Sequence, residues 1–257
     1  MELIEVEGAQ LEILRLQGSA GGGRSPIVFL HEGLGCVAMW RDWPGQVCSD
    51  TGRAGIVYSR RGYGGSQPIP DVRGAGRLQP DYMHLEALKV LPRLLEELQL
   101  QSPVLLGHSD GATIALLYAS HLPAAACIAM APHVIVEDQS VRAIQEARTA
   151  YESGSLRERL RRYHADVDCA FWQWNDIWLS PTFRDFDIRA ECRRIEAPVL
   201  ALQGEDDPYG TLRQIAEIEP TQGAFSKHVL AQCGHSPHRD QPQLTRDIVA
   251  QFLARLP

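Results

Sequence analysis

The pentapeptide Gly107-His108-Ser109-Asp110-Gly111 has G-x-S-x-G spacing and joins an apolar run, Pro103 to Leu106, to a second apolar segment, Ala112 to Ala119. A serine in a sharp strand-to-helix turn has its hydroxyl lifted clear of the sheet, and glycines on either side let strand and helix approach closely. The hydroxyl alone is a poor nucleophile. It needs an adjacent base, held in the right tautomer by a carboxylate. Two later segments offer those groups. Gly204-Glu205-Asp206-Asp207-Pro208 follows the apolar run Val199 to Leu202 and supplies three adjacent carboxylates, and Cys233-Gly234-His235-Ser236-Pro237-His238 follows Phe225 to Leu230 and supplies two histidines. Such a set can carry out nucleophilic acyl transfer.

Short apolar runs at residues 26–30, 54–58, 103–106, 124–130, 198–202 and 225–230 read as strands, those before the last buried on both faces, while Leu3 to Val6 and Leu11 to Leu16 read as an opening hairpin followed by a Gly-rich turn at Gly18 to Gly23. Helical spacing predicts helices over 38–49, 82–98, 112–119, 211–218 and 243–256. Alternating strands and helices imply an α/β fold, a mostly parallel, doubly wound sheet with right-handed crossovers. In such sheets ligands bind beyond the carboxyl ends of the strands, where the loops after residues 30, 58, 106, 130, 202 and 230 gather. Between Glu137 and Arg194 the texture changes to charged, Arg-rich and Trp-rich, with helical stretches and no buried strand. The expected organisation is a core of residues 1–136 and 195–257 with a helical cap inserted at 137–194.

These motifs, in this order, resemble the α/β-hydrolase superfamily over nearly the whole chain. The family's chain order is serine, acid, histidine. Its G-x-x-D acid motif selects Asp207, with Asp206 the alternative one residue away and Asp138 a second alternative, because some relatives carry the acid after the preceding strand. Its G-H motif selects His235. Glu205 and Asp206 otherwise cap the turn or face solvent, His238 reads as a helix-start or surface residue, and His31 and His108 as histidines that bond loop backbone. One oxyanion donor is expected at the amide of Asp110, at a helix N-terminus, where the acid also suits the helix dipole. The second resembles the family's His-Gly-x loop, here His31-Glu32-Gly33, and falls on Gly33, or on Leu34, since Glu32 departs from the usual glycine. Arg60-Arg61-Gly62-Tyr63-Gly64 resembles the family's D-x-R-G-x-G loop with Ser59 in place of the aspartate; Arg60 reads either as a loop arginine tied to carbonyls or as a contact to a substrate carboxylate. Trp174 and Trp178 share a helix face and can pack the cap or roof a substrate pocket, to which Trp40 and Trp43 could add aromatic surface.

The resemblance implies a serine esterase acting through an acyl-enzyme on small carboxylic esters, lactones or thioesters, with C–C bond hydrolases of aromatic degradation and cofactor-free perhydrolases as alternatives on the same triad. A serine at this position argues against the haloalkane dehalogenases and epoxide hydrolases, which use aspartate there. A non-enzymatic alternative is a ligand receptor that keeps the triad and signals by cap movement. No cofactor is needed for this chemistry, and the spacing indicates no metal site. The expected partner is a small molecule with an apolar or aromatic part. Net charge of −7 and the lack of a Lys/Arg run exclude a nucleic-acid footprint. The opening MELIEVEGAQ carries no basic segment leading into an apolar one, and no stretch reaches the ~18 apolar residues of a membrane span, so a cytoplasmic protein with six reduced thiols is expected. The oligomeric state is left open.

Overall fold

The computed structural model describes residues 1–18 and 23–256. Part of the Gly-rich turn read at Gly18 to Gly23 therefore lies outside the described residues. Eight strands form one sheet: β1 (Glu2–Val6), β2 (Ala9–Leu16), β3 (Ile27–Leu30), β4 (Gly55–Tyr58), β5 (Val104–His108), β6 (Ala126–Met130), β7 (Val199–Gly204) and β8 (Phe225–Leu230). Their spatial order is β1-β2-β4-β3-β5-β6-β7-β8; the β1/β2 and β2/β4 pairs are antiparallel and the rest parallel. The helices are α1 (Trp43–Thr51), α2 (Tyr82–Leu85), α3 (Leu91–Glu97), α4 (Asp110–Ala119), α5 (Asp138–Glu152), α6 (Ser155–Leu160), α7 (Val167–Trp178), α8 (Arg189–Cys192), α9 (Arg213–Ala216), α10 (Pro237–Asp240) and α11 (Pro242–Leu253).

The parallel strands read as continuous apolar runs because both faces are covered. In β3 the two-residue alternation sends Val28 and Leu30 into one core and Ile27 and Phe29 into the other. The first core also takes α3, α4 and the helices between β6 and β7. The second is closed by α1 and α11. Each fully buried side chain of this kind contributes about 1.5–3 kcal/mol relative to exposure. From β3 the chain winds to β4 on one side and then to β5 on the other, so the loops leaving β3 and β5 diverge and open a crevice between them. The serine loop follows β5 and the His31-Glu32-Gly33 loop follows β3, which places both at that crevice.

Prolines account for where the helices depart from the periodicity. The helix predicted over 38–49 is a 3₁₀ turn, Val37–Trp40, and then α1, because Pro44 fits only in a first helical turn. The 82–98 helix is continuous but widens to a π-turn at Glu86–Val90. Pro92 has no N–H for the carbonyl of Leu88 and its ring crowds that carbonyl. Pro237 likewise starts the short α10 ahead of α11. The helix expected over 211–218 is the shorter α9.

Between β6 and β7 lie α5 to α8, with an isolated bridge from Ile135 to Asp187 and no strand of the main sheet. Within this segment the Phe171 ring stacks on Tyr151, with centroids 3.6 Å apart.

Candidate active site

Ser109 occupies the turn from β5 into α4 with φ 53° and ψ −120°, a conformation that costs a non-glycine residue on the order of 1–3 kcal/mol. The crossing that enforces it is visible at the two glycines. A Cβ on Gly107 would collide with the carbonyl of Gly111, and one on Gly111 with the carbonyl of Leu30. The Ser109 amide is tied to the Met130 carbonyl at 2.9 Å. The hydroxyl therefore points away from the sheet into a cavity of about 240 Å³.

His235 Nε2 lies 2.9 Å from Ser109 Oγ, and His235 Nδ1 lies 2.9 and 3.0 Å from the two carboxylate oxygens of Asp207. With a proton on Nδ1 directed at the carboxylate, Nε2 is free to accept from the serine. Asp207 is itself held: Oδ1 accepts from the Tyr209 amide at 2.8 Å and Oδ2 from Gln203 Nε2 at 3.1 Å. Burial alone would raise the Asp207 carboxyl, but the hydrogen bond and charge interaction with His235, joined by the Tyr209 amide, outweigh it and hold the group below the usual carboxylate range. Of the alternative acids, Glu205 and Asp206 face solvent, and Asp138 is exposed and paired with Arg184 at 3.0 Å. The site thus brings together Ser109, His235 and Asp207 from three loops at the carboxyl ends of β5, β8 and β7.

The amides of Gly33, Leu34 and Asp110 find no acceptor among the described residues. Gly33 and Asp110 line the Ser109 cavity, as does Leu34. Asp110's own carboxylate is turned away from the serine. It accepts from the Tyr82 hydroxyl at 2.8 Å, which in turn accepts from Trp178 Nε1 at 3.0 Å. Burial raises the Asp110 carboxyl, with Arg60 opposing.

Glu32, which stands where the resembling loop has glycine, organises the base of the site. Its Oε1 accepts from Arg239 at 2.8 Å and its Oε2 lies 3.5 Å from His108 Nδ1. Burial would raise this carboxyl, but His108 and Arg239 hold it well below its ordinary value. His108 Nε2 donates to the backbone carbonyl of His235 at 2.7 Å. Since a carbonyl can only accept, His108 ties the backbone that carries His235, while its Nδ1 has no hydrogen-bond partner among the described residues and lies near the Glu32 carboxylate that Arg239 holds. This role joins residues far apart in the chain, and sequence spacing carries no sign of it.

Trp174 and Trp178 both line the cavity, and the Trp174 indole lies so close over Gly33 that a Cβ there would collide with it. Trp40 and Trp43 do not line it. They stack on each other below the site, 5.8 Å apart, and pack on Phe29 and His238. His238 starts α10 but is buried instead of exposed; burial, then His108, keeps it well below the usual histidine range. His31 bonds loop backbone, accepting from the Arg60 amide at 3.0 Å and donating to the Glu32 carbonyl. Arg60 is buried but lines a different cavity from Ser109.

The site also holds a histidine that the motifs do not mark. His133, on the loop after β6, lines the cavity 4.8 Å from the Trp178 ring and 5.7 Å from the His235 ring. Burial, then the neighbouring His235, lowers its pKa to about 3, so it is neutral at ordinary pH. Its one sequence signal is its place at the carboxyl end of a buried strand. Among the described residues no group of three or more His, Cys, Asp or Glu side chains is arranged to hold a metal ion, and the six cysteines are buried and unpaired.

A mostly parallel eight-stranded sheet with a serine in the tight turn after its fifth strand is the architecture of the α/β hydrolases. A profile of the alpha/beta hydrolase family matches residues 27–248, and the chain belongs to that family and is a hydrolase. Solved structures that share the fold include the proline iminopeptidase of Mycobacterium smegmatis, at 16% identity and TM-score 0.76 over 99% of this chain and 97% of that one. The enol-lactonase from Burkholderia xenovorans LB400 matches at 16% identity and TM-score 0.76 over 99% and 100%. A thermophilic esterase from Thermogutta terrifontis matches at 18% identity and TM-score 0.74 over 99% of each chain. Among the described residues no helix is long and apolar enough to cross a membrane.

Proposed function

We propose that the chain is a serine hydrolase that cleaves a small carboxylic ester, lactone or thioester through an acyl-enzyme on Ser109. The observation that carries this reading is the unbroken hydrogen-bond chain Ser109 Oγ, His235 Nε2, His235 Nδ1, Asp207, each link 2.9–3.0 Å. In the first step His235 takes the serine proton as Oγ attacks the carbonyl carbon. The amides of Gly33 and Asp110 receive the developing oxyanion, each worth on the order of 3 kcal/mol in the transition state. His235 then gives its proton to the leaving alcohol or thiol, and a water, deprotonated by the same histidine, releases the acid. Asp207, held ionised, orients the imidazole and stabilises its cationic form.

The cavity of about 240 Å³ lies below the 300–1,000 Å³ usual for sites that take drug-sized ligands, which favours a compact substrate. Ile144, Leu156, Leu160, Trp174 and Trp178 give it an apolar and aromatic side, and all five come from the segment between β6 and β7. Residues 137–194 are accordingly assigned as a cap that selects substrate, over a core of residues 1–136 and 195–257. The reading is tested by turnover on a panel of esters, lactones and thioesters with Ser109→Ala as the blank. Wild type is expected to turn over many times on at least one class and Ser109→Ala to lose on the order of 10⁴-fold or more while remaining folded. Equal rates in both proteins would overturn it.

A further inference from the structure

Beside the Ser109 cavity, and not sharing its lining residues, lies a second cavity of about 390 Å³ between the Arg60–Tyr63 loop, the 69–78 loop, the helical stretch 82–90 and α7. One end of it is crowded with donors. Arg60 is 5% exposed and sits over the Tyr63 ring, 5.1 Å from its centroid. Its Nη2 donates to the Glu32 carbonyl at 3.0 Å and lies 3.8 Å from Asp110, while its Nε and Nη1 have no acceptor among the described residues. The same holds for Arg61 Nε and for the amide nitrogen of Gln173, a residue 3% exposed that packs against Gly62. All three side chains line this cavity.

Buried N–H groups without acceptors cost about 1–3 kcal/mol each, more when charged, so a cluster of them in one cavity calls for an acceptor. Neither acidic neighbour is hydrogen-bonded to these nitrogens, although Asp110 Oδ1 is itself buried without a partner among the described residues. Glu86 takes the Tyr58 hydroxyl at 2.8 Å and Asp110 takes Tyr82 at 2.8 Å. Burial raises both carboxyls, opposed in each case by Arg60. A group that only accepts, is planar and carries one negative charge fits a guanidinium fork beside an amide. Away from this end the cavity is walled by Ile69, Leu78, Leu85 and Val90, and Leu85 is 50% exposed at its rim. We propose that this cavity binds an amphiphilic monocarboxylate, with its head on Arg60 and Gln173 and its apolar tail toward Leu85.

One feature argues against a dianionic head: although Arg60, Arg61 and Arg77 line the cavity against the single lining carboxylate Glu86, the apolar walls leave few donors for a phosphate's remaining oxygens. Occupation would reach the hydrolytic site, because Arg60 also holds the Glu32 carbonyl next to Gly33 and faces Asp110. That coupling rests on the oxyanion assignment made above. The binding itself does not, so the two can fail separately.

The test is titration calorimetry of the intact chain with hexanoate, 3-phenylpropanoate, hexanamide and inorganic phosphate, on wild type and on Ser109→Ala. Both carboxylates are expected to bind both proteins with the same affinity, and hexanamide and phosphate at least tenfold more weakly. Arg60→Met and Gln173→Leu should each weaken the carboxylates at least tenfold, and Gln173→Leu keeps the test open if Arg60→Met does not fold. Repeating the titration with the acid released from the best ester substrate separates two sources of ligand. At least tenfold tighter binding of that acid marks a product site, and equal binding of all three acids marks a site for an independent carboxylate. Equal binding of hexanamide or phosphate, unchanged affinity in both cavity variants, or a crystal structure from millimolar hexanoate with only water at Arg60 would overturn the proposal.

Discussion

Below Ser109 the Asp207 and Glu32 carboxylates are held by directional bonds, whereas the helices that face it from between β6 and β7 rest mainly on apolar packing, with exposed ion pairs and a few buried hydrogen bonds such as Asn175 to the Ile144 carbonyl. Asp207 meets His235, the Tyr209 amide and Gln203, and Glu32 meets Arg239 and His108. The pairs Arg157–Asp168, Arg148–Glu152 and Arg184–Asp138 are all largely exposed and worth ~0–1 kcal/mol apiece. The cohesion of the upper layer comes instead from contacts such as Tyr151 on Phe171 and Trp178 on Phe183. Directional bonds fix atoms to tenths of an ångström, as a proton relay needs. Apolar packing tolerates exchange of one shape for another, as selection among substrates needs.

The largest contrast is expected in the floor. Asp207→Asn should lower kcat on the order of 10⁴-fold, because the amide would stabilise the wrong histidine tautomer and leave the cationic form unsupported. Asp206→Asn, one residue away but exposed, should stay within a few-fold of wild type. Steady-state kinetics of the two variants, with Asp138→Asn beside them, decide the acid; a silent Asp207→Asn with a dead Asp138→Asn would move it to the other loop.

The roof should respond differently. Trp174→Ala is expected to change the ranking of kcat/KM across an acyl-chain series by about tenfold while leaving Ser109 reactive toward a small probe. It should also cost stability, on the order of 3–5 kcal/mol for a buried tryptophan. A lower Tm with the substrate ranking unmoved would show that this helix only packs.

A smaller effect separates the regions by pH. In the folded state His133 titrates near pH 3, against about 6.5 when unfolded. Its contribution to stability is therefore fully present above about pH 6.5 and lost progressively as the pH falls from there toward 3, because only the unfolded chain takes up the proton. Replacing His133 with Gln should flatten the decline of unfolding free energy between pH 6 and 4 by up to about 1.4 kcal/mol per pH unit. Asp207 and Glu32 act lower, holding their contributions above about pH 4 and losing them as the pH falls through their depressed folded values. Denaturant titrations at several pH values read both; an unchanged slope in the His133 variant would contradict its neutral burial.

The same contrast explains what the sequence discloses. The elbow, the acid turn and the Gly-His turn are constraints local to a few residues. Gly107 is required by its contact with Gly111 inside the turn and Gly111 by the approach of the Leu30 carbonyl from β3, and the two stand in the sequence as a motif because both flank the same turn. The sheet is equally legible, since strands buried on both faces are unbroken apolar runs. The grouping of Arg239, Glu32 and His108 is not, because its members come from α10, the loop after β3 and the end of β5, and no spacing links them. The tryptophans show the same limit. Trp40 with Trp43 and Trp174 with Trp178 are both pairs at helical spacing, yet the first lies under the sheet's carboxyl edge on Phe29 and the second lines the cavity. Which face a helix turns to the core depends on where the preceding loop delivers it, here on Pro44 and the 3₁₀ turn before it.

The claim on which the rest depends is that Ser109 carries the acyl group, and covalent labelling reads it directly. Wild-type protein is treated with a small fluorophosphonate, digested and mapped by mass spectrometry while residual ester turnover is followed in parallel. One equivalent is expected on the peptide containing Ser109, with turnover falling in proportion to label and no label in Ser109→Ala. Stoichiometric labelling at another residue, or full turnover in protein fully labelled at Ser109, would contradict the account.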